Sequence, residues 1–202
     1  MLLTPGAGHE VTWQEPGTVC APVDEIGLAV TGEAGATGSV YLDYLTWDGV
    51  PDVTFTRPAW GGTLWWQAWA NAVDQCEPHA PEPFRLVQNE GRGLLITGCR
   101  EWADYRVSAD VAPHMACAAG LAARVVKALD GETALAEADY PWQFGVTYDL
   151  ALRVEGCRIE ASVDGRTLFQ VQDADRPLLG GGIALVCDEG RTATQAVRVR
   201  PL

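Results

Sequence analysis

Residues 148–171 read YDLALRVEGCRIEASVDGRTLFQV, and their spacing decides the fold. Tyr148, Leu150, Leu152 and Val154 alternate with Asp149, Ala151, Arg153 and Glu155. That period of two puts one face of a strand on a core and the other in water. Gly156 then turns the chain, since it adopts positive φ without the clash a branched residue would meet. RIEASV follows, with Ile159, Ala161 and Val163 read as inward. Asp164-Gly165 is the strongest hairpin signal in the chain, because a two-residue type I′ turn needs positive φ at both positions. RTLFQV returns, giving three antiparallel strands joined by tight turns.

Working upstream, GCREWADYRVSADVAP (98–113) repeats the alternation, with Tyr105, Val107, Ala109 and Val111 on one face. The WADY that precedes it reads as a sheet corner: Trp102 and Tyr105 pin the strand while Asp104 bonds a turn amide. Downstream, the loop DADRPLLGGG leads to the strand IALVC, and QAVRVR closes with Val197 and Val199 on one side. Residues 119–137 carry helix-tolerant Ala and Leu, but Asp130-Gly131 predicts a turn between AARVVKAL and ETALAEA. The predicted fold is therefore all-β, an antiparallel β-sandwich of jelly-roll type over 84–202.

The first 58 residues predict further strands, IGLAV and SVYLDYL around the Gly-rich TGEAGATG, then WDGVPDVTFTRP. So few strands bury no core of their own and must dock on something. Between the two parts, 59–83, Trp65, Trp69 and Val73 recur at i, i+4 and i+8. This predicts a short helix with one apolar stripe, followed by EPHAPEP as an extended connector.

The chain of 202 residues has 27 acidic and 14 basic residues, for a net charge of −13. With no basic stripe to neutralise phosphates, nucleic acid is excluded as a partner, and an anionic membrane surface is disfavoured. MLLTPGAGHE has neither the basic nor the apolar region of a signal peptide, which predicts a cytoplasmic protein. The cysteines at 20, 76, 99, 117, 157 and 187 are scattered without CxxC or zinc spacing, so reduced, packed thiols are expected. The three histidines, His9, His79 and His114, sit beside Gly or Pro and give little material for a triad. No GxSxG elbow occurs, GHEVT lacks the second His of HExxH, and the glycine runs lack the strand-to-helix setting of a phosphate cradle. The acids of EWAD and EADY stand at spacing three or two, but beside aromatics in strand entries and loops, so no catalytic residue is assigned. A carboxylate pair brought together from distant strands stays open. No cofactor is expected; a loop such as DADRP supplies oxygen ligands for calcium but has no specific calcium pattern.

What remains is aromatic content, eight tryptophans with Trp60, Trp65, Trp66 and Trp69 crowding one segment. Aromatic faces beside polar side chains are how proteins stack on sugar rings and bond their hydroxyls, though large aromatics are also ordinary packing. The candidate ligand contacts are Trp65, Trp66 and Trp69, with Asn89, Glu90, Arg92 and Arg124 as polar groups on an open face.

The runs RLVQNEGRGLLITGCREWADYRVSADVAPHMACAAGLAARV, ALDGETALAEADYPW, YDLALRVEGCRIEASVDGRTLF and GGGIALVCDEG resemble a concanavalin A-like sandwich. It is the one at the C-terminal end of many bacterial ADP-ribosylglycohydrolase family proteins. They are more distantly similar to the 3-keto-disaccharide hydrolase domain. Residues 11–58 resemble the tail of the galactose-binding-like sandwich that precedes it in the first family. That family's α-helical, magnesium-dependent catalytic domain has no counterpart here, so the resemblance carries over no catalytic residue. It also implies a hairpin between GLAARV and VKALDG that this chain lacks. The resemblance implies a non-catalytic accessory module that binds carbohydrate or an ADP-ribose-like moiety, or packs on a catalytic partner domain. The alternatives are a glycoside-acting hydrolase and a purely structural fragment.

Overall fold

The computed structural model describes residues 34–35, 37–41, 50–59, 62–77, 79–126 and 134–202. The expected strand IGLAV, most of SVYLDYL and the Asp130-Gly131 turn lie outside the described residues. The strands, in chain order, are β1 (Val53–Phe55), β2 (Ala70–Ala72), β3 (Gln75–Cys76), β4 (Phe84–Thr97), β5 (Tyr105–Pro113), β6 (Ala118–Val125), β7 (Tyr148–Glu155), β8 (Arg158–Val163), β9 (Arg166–Gln172) and β10 (Gly182–Pro201). All pairings are antiparallel, and the fold is a β-sandwich.

Two long strands, β4 and β10, belong to both layers. Over residues 182–188, β10 lies between β4 and β6; over 192–201 it pairs with β5 instead. The change happens at a register shift between Asp188 and Gly190, where Glu189 has φ 41° and Gly190 φ 150°, opposite Gly91 of β4 at φ 66°. A bulge of this kind bends a strand and lets it change sheets. One layer then runs β2-β4-β10-β6, and the other continues from β10 through β5, β7, β8 and β9.

The meander forms as the alternation predicts, except that in β7 Ala151, expected in water, is buried while Leu150 and Leu152 are half-buried. Tyr105, Val107, Ala109 and Val111 are all buried, β5 pairs β7 from Tyr105↔Val154 to Val111↔Tyr148, and Asp164 and Gly165 have φ 50° and 74°. In β8, Ile159, Ala161 and Val163 lie opposite Val154, Leu152 and Leu150 on the expected face, and Ile159 packs against the core, though all three are half-buried. Ser162 is the most buried residue of the strand, on the opposite face beside Ala151, and the register with β9 shifts at this point.

The Trp-rich segment is part of the core. Leu64–Ala68 forms a single 3-10 stretch, and the chain leaves it extended at Trp69 because β2 pairs with β4. This replaces the expected three-position helical stripe. Trp65 and Trp69 are buried, with Phe84 at ring distances of 5.6 and 4.9 Å, and Phe55 lies 5.1 Å from Trp69. Each such buried ring contributes about 1.5–3 kcal/mol from area alone. The expected divisions at 58/59 and 83/84 fall inside this arrangement, since β1 pairs with β10 and β2 and β3 pair with β4. EPHAPEP, expected to be extended, instead turns: Ala80 N donates to Glu77 O (3.0 Å) and Glu77 N to Arg85 O (3.0 Å), returning β3 into β4.

Candidate functional site: a cleft at the bend of two long strands

Where β4 and β10 bend together, they open a cleft of about 330 Å³ lined by Gly91, Arg92, Cys117, Asp188 and Glu189. Register places its main pair, since Asp188 lies opposite Arg92 on β4 and opposite Ala118 on β6. Arg92 grips Asp188 in a fork: Nε donates to Oδ1 at 3.0 Å and Nη2 donates to Oδ2 at 2.8 Å. Such bidentate pairs fix both planes as well as adding energy. Glu189 Oε1 accepts from Gly91 N (3.4 Å), and Cys117 Sγ donates to Glu189 Oε2 (3.7 Å).

The β5–β6 connection forms the other lip and is held tightly. Cys117 N donates to Asp188 O (2.8 Å) and His114 N to Arg191 O (2.7 Å). A Cβ at Gly190 would collide with the Met115 carbonyl oxygen, so only glycine allows this approach. Met115 itself has φ 104°. Two non-glycine residues in the left-handed region, Met115 and Glu189, thus converge on one opening, and such outliers cluster where ligands are held. Behind the cleft, burial holds the Cys187 thiol above its usual range, leaving a neutral wall.

Of the residues singled out in sequence, Arg92 lines the cleft, and Asn89 and Glu90 are exposed on the same bend of β4. Asn89 N donates to Asp74 Oδ2 (2.8 Å), and Gln88 Nε2 donates to Glu90 O (2.7 Å), so neighbouring side chains brace the bend. Trp65 and Trp69 have their rings inside the core, and Trp66, half-buried, packs on Trp65 at 5.0 Å. Arg124, expected on an open face, is buried far from the cleft. Its guanidinium donates to Ala103 O (3.1 Å), Leu178 O (2.8 Å), Gly156 O and Asp104 Oδ1 (3.0 Å). Asp104 also accepts from Gly156 N (2.8 Å), and Trp102 stands 6.1 Å from Tyr105, so WADY is the corner it was read to be. Tyr105 Oη accepts from Arg124 N (2.6 Å) and faces Gly181 O and Gly182 O at 3.1 and 2.9 Å. Burial pushes its pKa up to about 12.

Asp188, Glu189 and Cys117 were missed because nothing local in IALVCDEG or HMACA marks them; only the β4–β10 register joins them to Arg92. A second, smaller groove of about 230 Å³ lies over β7–β9. There Arg153 pairs with Glu155 (2.9 Å), and Glu160 accepts from Thr167 (3.2 Å) and Gln170 (2.7 Å). Among the described residues no group of three or more His, Cys, Asp or Glu is placed to hold a metal ion, and no helix is long and apolar enough to cross a membrane. Among the described residues, Cys76, Cys117, Cys157 and Cys187 are free thiols.

No protein-family model matches the chain, and no curated protein matches it. Solved structures match in fold. One is the carbohydrate binding module CBM66 from Bacillus subtilis, at 15% identity and TM-score 0.56, covering 66% of this chain and 95% of that one. A second is a Bacillus subtilis protein of unknown function with a galectin-like fold, at 12% identity and TM-score 0.48, covering 67% and 90%. A third is the Caenorhabditis elegans galectin LEC-6, at 12% identity and TM-score 0.40, covering 66% and 96%.

Proposed function

We propose that this β-sandwich is a non-catalytic carbohydrate-binding module whose cleft at the β4–β10 bend holds a neutral sugar. The observation that carries the reading is the open Arg92–Asp188 fork with Glu189 beside it. A sugar's adjacent hydroxyls donate and accept at once, and a guanidinium next to carboxylates offers both complements within one cleft. The cleft holds one cation against two carboxylates, a balance that repels phosphate and favours an uncharged ligand over an ADP-ribose-like one. The fold shared with CBM66 supports the class of ligand. The resemblance to the accessory sandwich of bacterial ADP-ribosylglycohydrolase family proteins supports a module working beside a catalytic domain.

The test is a thermal melt with neutral mono- and oligosaccharides, and with ADP-ribose, on the wild type and Arg92→Ala. A ligand that binds only the native state raises its stability by about 2.7 kcal/mol at a hundredfold excess over Kd. The expected result is a rise with a neutral glycan that Arg92→Ala abolishes while its own ligand-free melt stays near wild type. No response to any glycan, or an equal response in Arg92→Ala, contradicts the reading.

A further inference from the structure

We infer that the exposed ring pair Trp142–Phe144 is a second sugar-ring site continuous with the cleft, so that the module takes a glycan chain rather than a single sugar; this rests on the carbohydrate reading above. Residues 134–147 form no helix or strand, yet they are pinned at three points to one end of the sandwich. Tyr140 Oη donates to Asp164 Oδ2 (3.0 Å), Gln143 N donates to Tyr148 Oη (2.7 Å), and Gly145 N donates to Pro113 O (2.7 Å). A loop so fixed, with Tyr140 edge-on to Tyr148 at 5.7 Å, has its backbone ordered before any ligand arrives.

What this ordered loop presents is apolar. Trp142 and Phe144 stand edge to face at 5.2 Å, 42% and 61% exposed. Each forgoes a good part of the roughly 1.5–3 kcal/mol that burial of a large apolar side chain supplies. Other tryptophans of this chain, Trp65 and Trp69, are packed away; this one is held outward by the backbone bonds on either side of it.

Topology places the pair next to the cleft. Pro113, which holds Gly145, pairs with Thr192 of β10. Two residues on, at most about 7 Å of chain, Met115 lies against Gly190, and Gly190 adjoins Glu189 of the cleft. A path along this end therefore passes from the ring pair over the exposed Met115 side chain to the Arg92–Asp188 fork. A sugar ring has an apolar C–H face and a hydroxyl rim. The rings suit the first, and the Tyr140 and Asp164 oxygens at the foot of the same loop suit the second. A second copy of this chain is a poor occupant, because two molecules of charge −13 repel.

The experiment titrates the full chain with neutral glucan, mannan, xylan and fructan oligosaccharides, from single sugars to hexasaccharides, by calorimetry. Wild type, Trp142→Ala and Arg92→Ala are compared, with their ligand-free melts as controls. Wild-type affinity is expected to grow about tenfold with chain length, and Trp142→Ala to remove that growth while leaving single-sugar affinity and the melt unchanged. Arg92→Ala is expected to lose binding at every length. Unchanged length dependence in Trp142→Ala overturns this inference and leaves the cleft standing. Loss of single-sugar binding in Trp142→Ala overturns the cleft as the anchoring site and the extension with it. Binding of no glycan overturns both, as does self-association relieved by Trp142→Ala in the absence of any glycan response.

Discussion

Two arginine–aspartate pairs in this molecule show how little a residue type says until its surroundings are known. Arg124 pairs with Asp104 at 3.0 Å and Arg92 with Asp188 at 2.8 Å. The Arg124 side chain is 5% exposed and that of Arg92 44%, while the carboxylates run the other way, Asp104 at 52% and Asp188 at 18%. Arg124 spends its donors on three backbone carbonyls and one carboxylate, joining β6, the β7–β8 turn and the loop before β10. Arg92 faces an opening, with the Asp188 carboxylate largely covered beneath it. The first pair builds the sandwich; the second lines the cleft proposed to take a sugar.

The comparison is sharpest in mutational stability. Arg124→Met is expected to cost about 3 kcal/mol in chemical denaturation, because it strands the carbonyls of Ala103, Gly156 and Leu178, while the half-exposed Asp104 carboxylate is left to water and the Gly156 amide. A loss within about 1 kcal/mol would show that the corner is not held by this residue. Gly190→Ala tests the seam between the two regions. The added methyl meets the Met115 carbonyl, and a loss of about 3 kcal/mol is expected, with any ligand response lost as the cleft lip moves.

Tyr105→Phe, which removes the hydroxyl shared by Arg124 N, Gly181 O and Gly182 O, is expected to cost about 1–2 kcal/mol. It also changes the response to alkali. Burial raises the pKa of Tyr105 and of the Cys76 thiol to about 12 each. Between the ordinary values and about 12 the folded protein keeps protons that the unfolded chain releases, so stability is full below about pH 9 and falls as pH rises toward 12. Melts from pH 8 to 12 are expected to show this decline in the wild type and a shallower one in Tyr105→Phe; a flat profile would contradict the burial of both groups. The smallest stability effect is that of Arg92→Ala, under about 1 kcal/mol, as for half-exposed ion pairs generally.

Much of the fold was legible because strands announce themselves by alternation. Tyr105 to Val111 and the Asp164-Gly165 turn stand where their spacing put them. Tyr148 to Val154 do so except for Ala151, buried on the face expected in water, and Asp104 bonds a turn amide as its position ahead of a strand suggested. The exceptions are places where pairing overrides local pattern. Ala151 and Ser162 are buried opposite each other on the face read as outward, which nothing in LALRV or RIEASV marks, and the segment after Trp69 is extended because β4 offers it an edge. The candidate site was half legible. Arg92, Asn89 and Glu90 are polar groups on a strand bend that the Gly91 and Gly93 glycines hint at. Asp188, Glu189 and Cys117 lie on elements about 25 or 100 residues away in sequence, and only the register of β10 against β4 and β6 delivers them. Arg124 looked like any surface arginine; its φ of 52° and its four acceptors are tertiary facts.

The central claim is that ligand meets the open pair and not the buried one. The measurement that tests it most directly is a two-dimensional amide and Arg Nε NMR titration with the neutral oligosaccharide panel. The expected result is a set of shifts centred on Gly91, Arg92, Cys117 and Glu189, with Arg124, Asp104 and Gly156 unmoved. Shifts centred on the Arg124 corner, or none with any glycan, would contradict it.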